Sequence, residues 1–158
     1  MSTAAVYPGS FDPVHNGHVD VIQRVAGQLD RVVVACLRNI SKQPLFEADE
    51  RMDLLRAATD GLDNVEITSF DGLLVDFCAA QGIPMVVKGL RTAADLQSEF
   101  PMAQMNRSIG EVETLFIATS PIYSFLSSSL VKEVARFGGD ISEFVPELTA
   151  QRLRERIR

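Results

Sequence analysis

Tryptophan is absent from the 158 residues, and cysteine and histidine occur only twice each. Cys36 and Cys78 lie far apart in apolar surroundings with no C-x-x-C spacing, so reduced core thiols are expected. No apolar run approaches the ~20 residues that span a bilayer, so no membrane partner is expected. The N-terminus has no basic flank followed by an apolar signal region, which makes a cytoplasmic protein the expectation. Positive charge is scarce too: 15 Lys and Arg stand against 21 Asp and Glu, for a net −6. A general nucleic-acid binder needs a basic face, and this composition argues against one. Phosphate and hydrolase signatures are also missing. There is no G-x-x-x-x-G-K-[ST], no G-x-G-x-x-G after a strand, no H-E-x-x-H and no G-x-S-x-G. Linkers, low-complexity tracts and repeats are lacking as well, so residues 1–158 are read as one domain.

What is present is a regular alternation. Short β-branched runs at Ala4–Tyr7, Arg31–Leu37, Val65–Phe70, Met85–Val87 and Thr114–Ala118 read as strands. Helical patterns lie near Gly17–Gln28, Glu47–Ala58, Gly72–Gln81, Ala94–Ser108, Ser127–Phe137 and Ser142–Arg156. Asp71 is a candidate cap for the third helix, and Asp140 or Ser142 for the last. Pro101 is expected to kink or interrupt the fourth. Arg152, Arg154, Arg156 and Arg158 read as the solvated face and end of the last helix. Strand–helix alternation with continuous apolar strands implies an α/β fold: a Rossmann-like, doubly wound parallel sheet of five strands with helices on both faces. Such sheets bind ligands at the carboxyl ends of their strands, where the strand order reverses.

Three segments sit at such ends. In the first, Pro8–His18, a turn-rich loop runs into a helix start carrying both histidines as H-x-G-H. A helix N-terminus presents free N–H groups and a positive dipole end to an anion, and an imidazole there adds a donor. The second is Val86–Arg91, where Lys88 and Arg91 flank Gly89 after a buried strand. The third is Tyr123–Lys132, with three serines opening a helix. Gathered at one sheet edge, these segments give an acidic protein a local phosphate site.

The motifs Y-P-G-S-F-D-P-V-H-N-G-H, K-G-L-R, M-A-Q-M-N-R and S-F-L-S-S-S-L-V-K-E-V-A resemble those of the bacterial phosphopantetheine adenylyltransferases, a family of the nucleotidylyltransferase superfamily. The likeness runs from Ala5 to about Pro146. It implies reversible transfer of AMP from ATP to 4′-phosphopantetheine, giving dephospho-coenzyme A and pyrophosphate, with Mg²⁺ as cofactor. By position it implies ATP contacts from Ser10, Phe11 and His18, from Gly89, Leu90 and Arg91, and from Glu99. The run Tyr123, Ser124, Phe125, Leu126, Ser127, Ser128 and Ser129 completes the implied ATP site. Ser10, Lys42, Leu74 and Lys88 would contact phosphopantetheine, and His18 would be the catalytic residue that stabilises the transition state. No protein metal ligand is implied. A homohexamer and feedback inhibition by coenzyme A are implied as well.

The chain departs from the family pattern where Ser10 replaces threonine, where Lys88 replaces arginine, and at Asp95–Pro101. In the last, Glu99 keeps its place among changed neighbours, and Pro101 is expected to displace it. Two other readings stay open: a superfamily transferase using CTP or an acceptor such as nicotinamide mononucleotide, and a nucleotide-binding regulatory module without catalysis.

Overall fold

The computed structural model describes residues 2–39 and 43–157. Five strands form one parallel sheet: β1 (Ala4–Gly9), β2 (Arg31–Leu37), β3 (Val65–Phe70), β4 (Met85–Leu90) and β5 (Glu113–Ala118). Their order is β3-β2-β1-β4-β5, so the direction of winding reverses at β1. Six helices accompany them: α1 (Asn16–Ala26), α2 (Ala48–Ala58), α3 (Leu74–Gln81), α4 (Ala93–Gly110), α5 (Ser128–Arg136) and α6 (Glu147–Arg156).

The period-2 side-chain alternation of a strand sorts the apolar residues into two cores. Ala5 and Tyr7 of β1, Val32, Val34 and Cys36 of β2, and Val87 of β4 face one core with residues of α1, α2, α5 and α6. Val6, Val33, Ala35 and Val86 point the other way, onto Val75 and Cys78 of α3. Each fully buried valine contributes roughly 1.5–3 kcal/mol relative to leaving it exposed. Both cysteines are buried and free, as expected.

The sheet opens where its winding reverses. The β1–β2 ladder runs from Ala4↔Arg31 to Gly9↔Cys36, whereas β1 meets β4 only at Val6↔Val86. Pro8 has no N–H with which to extend that second ladder. The carboxyl ends of β1 and β4 therefore flank a crevice.

Local expectations fail in four places, each for a physical reason. Asp71 caps nothing: α3 begins at Leu74, behind Leu73 with no side-chain cap bond, because Gly72 (φ +78) turns the chain first. The last helix begins at Glu147 rather than near Ser142. The Asp140 carboxylate takes the Ser142 N–H in a local turn, and Pro146 disfavours helical geometry in the residue before it. Pro101 does not interrupt α4, which runs unbroken from Ala93 to Gly110. Pro101 is exposed, so water can serve the carbonyl that loses its donor. Arg156 is anchored rather than freely solvated: it donates to the Leu45 carbonyl, pairs with Glu50 and lies over the Phe46 ring at 5.1 Å.

Candidate active site

A cleft of about 270 Å³ occupies the crevice at the carboxyl ends of β1 and β4. Its first wall is the turn from β1 into α1. His15 is the N-cap of α1, and its Nδ1 accepts from the backbone N–H of Gly17 (3.0 Å) and of His18 (3.4 Å). The His18 Nδ1 in turn accepts from the His15 backbone N–H at 3.1 Å. The two histidines thus form a reciprocal capping box, a role usually filled by Ser or Thr with Glu or Gln. Their rings stack at 3.7 Å between centroids, and Phe11 meets His18 edge-on at 5.0 Å. Gly17 is needed between them, since a Cβ there would lie 2.9 Å from the His15 ring.

This arrangement fixes protonation. With both Nδ1 atoms accepting, each neutral ring carries its proton on Nε2. Burial pulls the His15 pKa down to about 4, helped by Arg91. His18 also lies well below the ordinary imidazole value, chiefly through burial and then through His15, Arg91 and Lys88. At neutral pH His18 is an uncharged N–H donor lining the cleft.

The opposite wall comes from β4 and α4. β4 continues through Leu90, so Lys88 and Gly89 lie on the strand itself rather than in a loop after it. Lys88 pairs with Glu99 of α4 at 3.3 Å, both partly exposed to the cleft. Pro101 has therefore not displaced Glu99 from the site. Arg91 pairs with Asp95 at 3.3 Å and donates to the Leu126 carbonyl at 2.5 Å, tying the β4 end to the third segment. There Ser127 caps α5 by accepting from the Leu130 N–H, and Ser128 donates to the Pro13 carbonyl. Two of the three serine hydroxyls are thus engaged within the protein.

Of the sequence-derived site residues, Phe11, His18, Lys88, Gly89, Arg91, Glu99, Tyr123, Leu126, Ser127 and Ser128 line the cleft. Ser10, Leu90, Ser124, Phe125 and Ser129 lie close in sequence but outside its lining; Ser10 is exposed at the loop surface. Leu74 lines a smaller adjoining cavity of about 30 Å³ with Asn106 and Thr114, and Lys88 and Glu99 border both spaces. Lys42 lies outside the described residues. Sequence reasoning missed Tyr7 and Thr119, which also line the cleft. Tyr7 is a strand residue whose position near the carboxyl end of β1 was the available signal; burial raises its phenol well above the ordinary value.

Asp12 and Lys132 form a further pair that links these elements. The Asp12 carboxylate accepts the Leu45 and Phe46 N–H groups, each at 2.9 Å, and meets Lys132 Nζ of α5 at 3.0 Å. The cation of the third segment is thus turned toward the first loop. Among the described residues no three His, Cys, Asp or Glu side chains gather into a metal cluster. No described helix is long and apolar enough to cross a membrane.

Residues 6–134 match the model of the cytidylyltransferase-like family. The chain is 55% identical over 154 residues to a phosphopantetheine adenylyltransferase of Streptomyces coelicolor, covering 98% of this chain and 97% of that protein. It is 51% identical over 149 residues to one of Thermobifida fusca, covering 94% and 91%. A solved structure from Vibrio parahaemolyticus, described as a candidate nicotinate-nucleotide adenylyltransferase, matches with TM-score 0.67 at 19% identity over 98% of this chain and 99% of that one. That likeness concerns the fold alone. With its cleft at the reversal point of a five-stranded parallel sheet, and kinship along nearly its whole length, the chain belongs to the phosphopantetheine adenylyltransferases of the cytidylyltransferase-like family.

Proposed function

We propose that this chain, as one nucleotidylyltransferase domain, transfers the adenylyl group of ATP reversibly to 4′-phosphopantetheine in coenzyme A synthesis. The observation that carries this reading is the convergence of a neutral imidazole donor, Lys88 and Arg91 on one cleft at the carboxyl ends of β1 and β4. Kinship to enzymes of that name supplies the substrates.

The nucleophile is a phosphate oxygen that is already anionic, so no strong base is required. That oxygen forms a bond to the α-phosphorus while the bond to the bridging oxygen of the β-phosphate breaks, releasing pyrophosphate. The protein's task is to align two polyanions and stabilise charge at the α-phosphorus. His18 Nε2–H, kept neutral by burial, donates to an α-phosphoryl oxygen without a proton having to be gained or lost. Lys88 borders both the main cleft and the cavity beside Leu74. It is suited to lie between the two substrates, exchanging its partner Glu99 for phosphate. Ser10, Phe11, Gly89, Leu90, Arg91, Glu99 and the Tyr123–Ser129 run serve ATP; Ser10, Lys42, Leu74 and Lys88 serve phosphopantetheine.

Mg²⁺ is proposed as the nucleotide's companion. Glu99 is the one carboxylate among the described cleft-lining residues, and it is paired. The donor set does not fit a carboxylate-held ion. A metal would have to be carried by the phosphates themselves. The protein is proposed to act in the cytoplasm as a homohexamer and to be inhibited by coenzyme A. The exposed Phe100, Met102, Met105 and Ile109 of α4 support self-assembly, which light scattering would test.

The deciding experiment is pyrophosphate release from ATP with a panel of acceptors. Release with 4′-phosphopantetheine, and little with nicotinamide mononucleotide or with CTP replacing ATP, is expected. No release above background from folded protein would contradict the assignment.

A further inference from the structure

Arg51 is the largest fully buried side chain among the described residues, 1% exposed, and it is not among those that line the cleft. Its guanidinium donates to the carbonyls of Ser10 (2.7 Å), Leu37 (3.0 Å), Phe46 (3.0 Å) and Arg38 (3.4 Å), and to the Cys36 sulfur (3.3 Å). None of these five partners is a carboxylate. A buried cation is costly unless paired or fully hydrogen-bonded, and here four carbonyls and a thiol sulfur satisfy it. The guanidinium thus has no carboxylate among its direct partners.

The shortest of the five contacts falls on the peptide joining Ser10 to Phe11. The Cys36 thiol also donates to that carbonyl, at 3.5 Å. In a trans peptide the C=O and N–H point to opposite sides. With the carbonyl drawn to Arg51, the Phe11 N–H points away from Arg51, and Phe11 is among the residues that line the cleft. Among the described residues nothing accepts that N–H. Phe11 moreover has φ +47, a left-handed conformation that a phenylalanine adopts only under constraint. The strained residue, the free donor and the buried cation meet at one peptide bond.

We infer that Arg51 is a positioning residue, which holds the Ser10–Phe11 peptide so that the Phe11 N–H binds a polyphosphate oxygen. Its charge also polarises that peptide, strengthening the outward donor. The inference rests on the proposed use of the cleft for the triphosphate of ATP. It differs from a purely structural role in what it changes. Loss of Arg51 weakens the polyphosphate end most; the phosphopantetheine side, which shares only the Ser10 side chain of this peptide, changes less.

The test compares Arg51→Gln, Arg51→Lys and a backbone ester at position 11, in which phenyllactic acid replaces Phe11 and deletes only its N–H. Pyrophosphate affinity is read by calorimetry, KM for each substrate by kinetics, and folding by circular dichroism. Wild-type protein must first bind pyrophosphate; if it does not, the functional reading fails along with the inference. If it does, Arg51→Gln and the ester each weaken pyrophosphate binding and raise KM for ATP roughly tenfold, the scale of one charge-assisted hydrogen bond. KM for phosphopantetheine changes less than about threefold, within ordinary context variation. Arg51→Lys, which keeps the charge, recovers part of the loss. Equal weakening of both substrates, or unchanged pyrophosphate affinity in the ester protein, would overturn the inference while leaving the functional reading intact. Should Arg51→Gln not fold, Arg51→Lys decides with the ester: a loss of pyrophosphate affinity larger than any change in phosphopantetheine KM supports the inference, and equal or no change overturns it.

Discussion

The two walls of the cleft hold charge in opposite ways. On the β1 side, charged and polar groups are buried and spent on the protein itself. Arg51 binds backbone carbonyls, Asp12 binds two N–H groups and Lys132, and the two histidines together cap the start of α1. On the β4 side, Lys88–Glu99 and Arg91–Asp95 are ion pairs with side chains between 23% and 34% exposed, at the cleft itself. Buried, multiply bonded groups are expensive to move, whereas partly solvated pairs exchange partners at little cost. One wall fixes geometry; the other keeps charge ready to transfer to a substrate.

The largest expected break in this contrast is His18→Ala. It removes the donor held by the fixed wall and should lower kcat by about 10²–10³-fold, the range for losing one preorganised transition-state donor. ATP binding, measured by titration, should fall only modestly. Unchanged turnover would remove His18 from the mechanism. Next in size is Asp12→Asn, which leaves Lys132 without its partner in a buried setting. It should cost about 3 kcal/mol of folding stability, read from urea unfolding. A loss below about 0.5 kcal/mol, typical of surface pairs, would show that this wall is no more fixed than the other.

Lys88→Gln tests the exchangeable wall. It should reduce kcat/KM for phosphopantetheine roughly 30-fold through loss of a charge-assisted contact, while stability moves by less than about 1 kcal/mol. A large stability loss with intact kinetics would reverse the assignment of the walls. Smaller still is a pH effect. His15 has a folded pKa of about 4, below its unfolded value near 6.5. Below pH 6.5 the unfolded chain takes up a proton that the folded protein refuses, so stability should fall as pH drops from about 6.5 toward 4. Above that window the histidines contribute no slope. His15→Asn, which retains a capping side chain, should reduce the dependence between pH 5 and 7 in urea titrations, leaving the part due to His18. An unaltered slope would mean that His15 titrates normally.

The fold was legible because short apolar, largely β-branched or aliphatic strands, RVVVACL of β2 foremost, alternate with amphipathic helices, and that pattern has few other meanings than a doubly covered parallel sheet. The three site segments were legible because strand ends in such a sheet converge. What stayed hidden depends on contacts distant in sequence. Nothing local marks Arg51 as buried; α2 reads as a charged helix, and the carbonyls it gathers come from three separate stretches. The stacked histidines were visible as H-x-G-H, yet their mutual capping requires the backbone geometry of the turn. Pro101 misled because a proline inside a helix need not end it: α4 runs on through it, and the exposure of this stretch lets water take up the carbonyl that loses its donor. Ser10 was expected in the cleft from its motif, but its carbonyl, not its hydroxyl, is the group the fold uses.

The central claim is that the fixed wall presents His18 as a neutral Nε2–H donor. Since the chain has only two histidines, ¹⁵N NMR of imidazole-labelled protein reads both directly. At pH 7 both rings should show protonated Nε2 and unprotonated Nδ1, and His18 should stay neutral well below the pH at which a free imidazole titrates. Titration of His18 near 6.5, or a proton on its Nδ1, would contradict the account.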